Sequence, residues 1–154
     1  MFVSWILYAL CSGLVVGWAM HLLMFGLSRK LPTPVDMVEA LGSYGTKARG
    51  GKARRIGFWI HSLGGALLGL VYTALFTELF ALGGRPVILL AGAVLGMFHG
   101  LIVTYILMYW LVEHHPVEEY RRASPQVGLV HLVGHVFYGT ALAGLILIGG
   151  NFLP

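Results

Sequence analysis

The chain has 154 residues, of which 58% are hydrophobic and only 10% are Asp, Glu, Lys or Arg. A soluble domain carries about 25% charged residues, so this composition, with a mean hydropathy of +0.83, excludes an ordinary water-soluble fold. The net charge of +4 sits between apolar segments, where it reports membrane orientation and gives no sign of a nucleic-acid partner.

A membrane-spanning helix needs about 20 mostly apolar residues. Four stretches qualify in chain order, 2–27, 56–82, 87–112 and 127–152, and the only formally charged side chain within them is Glu78. The runs are continuous and do not alternate apolar with polar residues, which selects helices over a barrel. The expectation is an all-α polytopic membrane protein, one domain over 1–154, built as a bundle of four transmembrane helices.

The first segment has no basic residues ahead of it and its apolar run is too long for a removable signal, so it is expected to remain as a span. Cys11 within it is the only cysteine, which rules out an intramolecular disulfide and reads as a small packing residue. Loop 28–55 carries Arg29, Lys30, Lys47, Arg49, Lys52, Arg54 and Arg55, and loop 113–126 adds Arg121 and Arg122. Only Arg85 lies on the other side. The positive-inside rule then places both basic loops in the cytoplasm and both termini outside, in a bacterial-type inner membrane. Pro32 and Pro34 end the first helix, and Pro34 opens a short helix in which Val35, Val38 and Leu41 recur at helical spacing, suited to the headgroup layer. The TKARGGKARR stretch after it reads as flexible and solvated.

The connection Gly83-Gly84-Arg85-Pro86 makes the second and third spans an antiparallel hairpin. Glycines recur four apart at Gly13 and Gly17, at Gly65 and Gly69, and at Gly92, Gly96 and Gly100. In lipid, helices associate by close backbone approach, so these stripes are expected to face neighbouring helices in a tight bundle without a wide pore. Such a stripe left unpaired would instead suit docking to other membrane subunits or to a second copy of the chain.

Five of the seven histidines fall inside spans: His21, His61, His99, His131 and His135. Ionisable side chains at membrane depth are costly, face the bundle interior and often mark function. His21, His61 and His99 lie three or four residues from stripe glycines, and His131 and His135 share a face with Gly128 and Gly139. Counting from the cytoplasmic span ends at 1.5 Å per residue puts His21, His61, His131 and His135 about 6 to 12 Å deep and His99 about 20 Å deep. Imidazole suits zinc, iron and copper, and histidines four apart on one helix share a metal readily. His21, His61, His131 and His135 are therefore candidate metal ligands, with a carboxylate from Glu113, Asp36 or Glu39. His61, His99 and His135 are candidates for a cofactor, with His61–His135 and His99–His135 the pairs that would flank the iron of haem b. His114 and His115 read as edge residues before the helix-ending Pro116. Tyr72, Tyr138, Trp59 and Trp110 read as packing residues and interface anchors. No nucleophile turn, phosphate loop, paired-cysteine motif or nucleic-acid signature is present, so no residue is assigned a catalytic role.

Several short motifs taken together, Pro34-x-Asp36-Met37 with Leu41-Gly42, Gly57-Phe58-Trp59-Ile60-His61, Gly69-Leu70-Val71-Tyr72, Gly96-x-x-His99-Gly100 and His135-x-x-Tyr138-Gly139, occur in this order. The chain thereby resembles a family of small uncharacterised bacterial membrane proteins with four helices. The resemblance implies the four-helix fold and draws attention to His61, His99 and His135, but brings no activity. The His114-His115 pair and His131 depart from its pattern. An internal echo links His61-x-x-x-Gly65 in the second span to His135-x-x-x-Gly139 in the fourth, as in a two-hairpin repeat.

The sequence thus supports three functional expectations in order: binding of a transition metal or haem through the histidines, an accessory or assembly role in a larger membrane complex, and transport. The last lacks a polar path through the outer half.

Overall fold

A computed structural model describes residues 2–149, with Ala81 described in its backbone only. Its helices are α1 (Phe2–Ser28), α2 (Met37–Thr46), α3 (Gly51–Phe80), α4 (Leu82–Leu111) and α5 (Pro125–Ile148), with a 3-10 turn at Glu118–Arg122. Among the described residues there is no strand. α1, α3, α4 and α5 are each long and apolar enough to cross a membrane, and the chain is a multi-pass membrane protein. The end of the fourth expected span, beyond Gly149, lies outside the described residues.

The spanning helices pack in the order α1, α3, α4, α5 around an up-down bundle. α1 crosses α3 where Gly13 and Gly17 meet Gly65 and Gly69: a Cβ on Gly13 would stand 2.4 Å from the Gly65 carbonyl oxygen. α4 crosses α5 in the same manner, Gly92 against Gly139 and Gly96 against the His135 carbonyl. The glycine stripes read from the sequence are thus used inside the monomer, where close backbone contact replaces the hydrophobic force that lipid does not supply. Between these two pairs, side chains make the contact: Met20 and Met24 lie over Gly134, the Tyr8 hydroxyl donates to Leu145 O, and the Tyr138 hydroxyl donates to Gly65 O at 2.7 Å.

α3 and α4 are joined with almost no loop. Gly84 alone leaves helical geometry (φ 67, ψ −154), a left-handed conformation that glycine adopts without a Cβ penalty, and Pro86 stands in the first turn beyond it. The interior at the Gly84 end of the bundle is filled by Phe76, Ile88, Leu142 and Ile146, all fully buried.

Three sequence expectations change at the end of the bundle that carries the basic loops. The short helix starts at Met37, capped by Asp36, whose Oδ1 accepts from the Glu39 N–H; Pro34 stands outside it. It packs tightly against a spanning helix. A Cβ on Gly42 would stand 1.8 Å from Ala53 O, and one on Gly57 equally close to Val38 O, so α2 is seated directly on α3. The basic stretch is ordered as well: α3 begins at Gly51, and Arg49 and Arg54 pair with Glu39, Arg54 with Asp36 and Arg49 with Glu119. Glu39 is 3% exposed, and that burial holds because two guanidinium groups and the Gly50 N–H satisfy its carboxylate. Cys11, expected to pack inside, is exposed on the outer face of α1.

Candidate functional site

At the end of the bundle that carries the basic loops, a cavity of about 320 Å³ lies between all four spanning helices, with α2 beneath it. Its wall is mostly aliphatic. Met20 and Met24 come from α1, Leu68 from α3, Val103 and Leu107 from α4, and Val38 and Leu41 from α2. Five imidazoles interrupt this wall: His61 from α3, His99 from α4, His131 and His135 from α5, and His115 from the α4–α5 connection. A volume of this size with a few convergent polar groups falls at the lower end of the range for small-molecule sites.

The local helix geometry aims these rings. On α5, His131 Nδ1 donates to the Val127 carbonyl at 3.2 Å and His135 Nδ1 donates to the His131 carbonyl at 2.9 Å, each one turn back. The two rings stack at 6.3 Å and an interplanar angle of 23°. His61 Nε2 donates to Gly17 O at 3.3 Å, a contact made possible by the glycine crossing of α1 and α3. His99 Nδ1 lies 3.3 Å from the Tyr72 hydroxyl, and its ring meets that of His135 edge-on, centroids 4.5 Å apart.

Of the candidates named from sequence, His61, His99, His131 and His135 are brought around one cavity. His21 is not: it is half-buried beside His61, with ring centroids 5.9 Å apart, and does not line the cavity. His99 stands level with His135 and is not a deeper outlier. Counting from span ends misplaces it because α4 continues past the start of α5, closing in a π-helical turn at Ile106–Leu111. Gly100 packs on the His135 side chain, which fixes the two rings in register. That π-turn widens the helix beside the cavity, to which it contributes Ile106, Leu107 and Leu111; such turns occur frequently at functional sites.

The carboxylates proposed as additional ligands are elsewhere. Asp36 and Glu39 are held by arginines, and Glu113 is exposed. Among the described residues no three His, Cys, Asp or Glu side chains converge closely enough to hold a metal ion. His99 and His135 are in ring contact and, as they stand, do not flank a gap for a macrocycle. Tyr72 and Tyr138 pack in the core, as expected, in edge-to-face contact with each other. Trp59 and Trp110 are exposed toward the surroundings, as interface anchors are.

His115 is the residue that sequence reasoning misplaced. It is 4% exposed and lines the lower end of the cavity. Its Nε2 donates to Ala40 O at 3.0 Å and lies 3.4 Å from Ser43 Oγ, while its Nδ1 accepts from the Val117 N–H at 3.1 Å. The ring thereby ties α2 to the α4–α5 connection. Nearby, the Tyr120 and Ser124 hydroxyls are buried without a hydrogen-bond partner among the described residues. His114 is exposed and donates back to Trp110 O, an edge residue as expected.

No protein-family profile, curated protein or solved structure matches this chain.

Proposed function

We propose that the protein is a membrane-embedded binding protein whose histidine-lined cavity holds a small, largely apolar molecule. One observation carries this reading: a cavity of about 320 Å³ with aliphatic walls and four imidazoles from three helices, closed on one side by α2. The buried layer of Phe76, Ile88, Leu142 and Ile146 above it supports binding over passage across the bilayer. The internal pairing of the glycine stripes removes the feature that would have favoured an accessory subunit. No catalytic step follows from the arrangement. By the distribution of Lys and Arg, the cavity and α2 lie on the cytoplasmic side of a bacterial-type inner membrane, with both termini outside.

The test is saturable binding of N-phenyl-1-naphthylamine to the purified protein in lipid nanodiscs, read by its fluorescence. Gly64 lines the cavity and has no atom within 4 Å of where a Cβ would stand, so Gly64→Phe fills the space without a clash at the backbone. One site per chain in the wild type, lost in Gly64→Phe, is the expected result. Unsaturable partitioning, equal in both proteins, would refute the reading.

A transition metal is the second reading, favoured by one feature. Imidazoles that donate Nδ1–H to a carbonyl, as His131 and His135 do, are oriented as metal ligands are. It needs His61, His99, His131 and His135 to draw together around the ion. Elemental analysis of the purified protein decides it, and a Soret band would point to haem b.

A further inference from the structure

Three of the imidazoles around the cavity have their tautomers set by the backbone. A carbonyl oxygen can only accept, so the ring nitrogen bonded to one carries the hydrogen. In the neutral ring the other nitrogen is then a bare lone pair. By this rule Nδ1 is the protonated atom in His131 and His135, and Nε2 in His61. The bare atoms are Nε2 of His131 and His135 and Nδ1 of His61, and none of them accepts a hydrogen bond from a described residue. No described residue in the cavity wall is acidic, so an imidazolium there would lack a counter-ion. Of the three tyrosine hydroxyls in the same wall, Tyr138 is spent on Gly65 O and Tyr44 on Leu111 O, and Tyr120 stands at the lower end beside His115, away from His131 and His135.

The upper cavity therefore offers acceptors in an apolar surround, a polarity that selects for the complementary ligand. The wall also reaches the lipid-facing surface between α3 and α4, where the cavity-lining Ile60 and Ile106 are each about half exposed (48% and 47%). A ligand dissolved in the bilayer would meet the cavity there without crossing water.

Building on the binding reading above, we infer that the ligand is an apolar molecule bearing a hydroxyl, which donates to the bare imidazole nitrogens of His131 and His135. An apolar molecule with acceptors alone, such as an ether or an ester, leaves those lone pairs unmet and is disfavoured.

The experiment compares 1-naphthol with 1-methoxynaphthalene, which share the ring system and differ in the donor, by competition against bound N-phenyl-1-naphthylamine in nanodiscs. The expected result is that the naphthol competes at least about tenfold more strongly than its methyl ether. In His135→Leu, and separately in His131→Leu, the preference should shrink to about threefold or less while the ether competes as before. Equal competition by the two compounds in the wild type overturns the donor assignment and leaves the cavity reading standing. Failure of the fluorescent probe itself to bind saturably overturns both. The wild-type comparison decides the matter even if a leucine variant does not fold. A long-chain alcohol set against its methyl ether then separates an aromatic hydroxyl from an aliphatic one.

Discussion

His115 Nε2 donates to the carbonyl oxygen of Ala40 at 3.0 Å, across 75 positions of sequence. This bond joins the floor of the cavity to the connection between its last two walls, and is one of the fastenings that set the floor's position. Replacing it by Phe keeps the ring volume but leaves Ala40 O without this donor and the Val117 N–H without its acceptor. The expected cost is about 1–3 kcal/mol of local stability. Hydrogen exchange across α2 should quicken in His115→Phe while α1 and α5 are unchanged; uniform protection in all helices would contradict the role given to this ring.

The carboxyl of Glu39 provides a second fastening, and its titration has a definite sign. Burial pushes the group up, but hydrogen bonds from the Gly50 N–H and the Arg49 and Arg54 guanidiniums outweigh it and hold it below the ordinary carboxylate value. A carboxyl depressed in the folded state contributes stability above its ordinary value and loses it as pH falls through the depressed one. Protease cleavage near α2 should therefore rise on acidification below the usual carboxylate range. Glu39→Gln should show the raised cleavage already at neutral pH and a flat profile. Because Arg49 and Arg54 are more than half exposed, the expected loss is modest, about 1–2 kcal/mol.

The glycine crossings predict a contrast between positions of equal sequence character. Gly13→Leu and Gly96→Leu each drive a side chain into a facing backbone and should lower the melting temperature in detergent, at a cost of about 1–3 kcal/mol or more. Gly26 has nothing within 4 Å of a Cβ position, so Gly26→Leu should change stability by less than about 0.5 kcal/mol. Equal melting of all three variants would mean that the crossings are not where the helices are held.

Sidedness is open to a direct check. A cysteine at Lys47, in the protein with Cys11→Ala, should react with an impermeant maleimide only after the cells are opened. A cysteine added at the N-terminus should react in intact cells. The reverse pattern would invert the orientation read from the basic loops.

The spans and the glycine stripes are legible in the sequence because each depends on local periodicity: about 20 apolar residues for a span, and spacings of four for a helix face. The packing of α2 is not local in that sense. Gly42 and Gly57 look like isolated glycines, and only the folded backbone shows that each sits where the other helix passes. His115 next to Pro116 resembles a solvated helix end, and the acceptor that buries it is on a different element. The basic stretch held a readable clue: Asp36 and Glu39, three apart on the short helix, share a face and face the arginines that follow. Four of the five candidate histidines line one cavity, each on the helix face of a glycine three or four residues away. The depth of His99 was misplaced because helix ends are not level, and α4 overruns the start of α5 by its π-turn.

The separation of backbone contacts from side-chain contacts has a mechanical consequence. Gly13 against Gly65 and Gly96 against His135 make two stiff jaws, each of paired backbones, and the jaws meet only through flexible or rotatable groups such as Met20, Met24 and Tyr138. They are joined along the chain at Gly84, the residue between α3 and α4 that leaves helical geometry. The width of the space between them thus depends on side chains that include two adaptable thioethers, so, if the cavity binds as proposed, it could take guests of different girth with neither jaw coming apart.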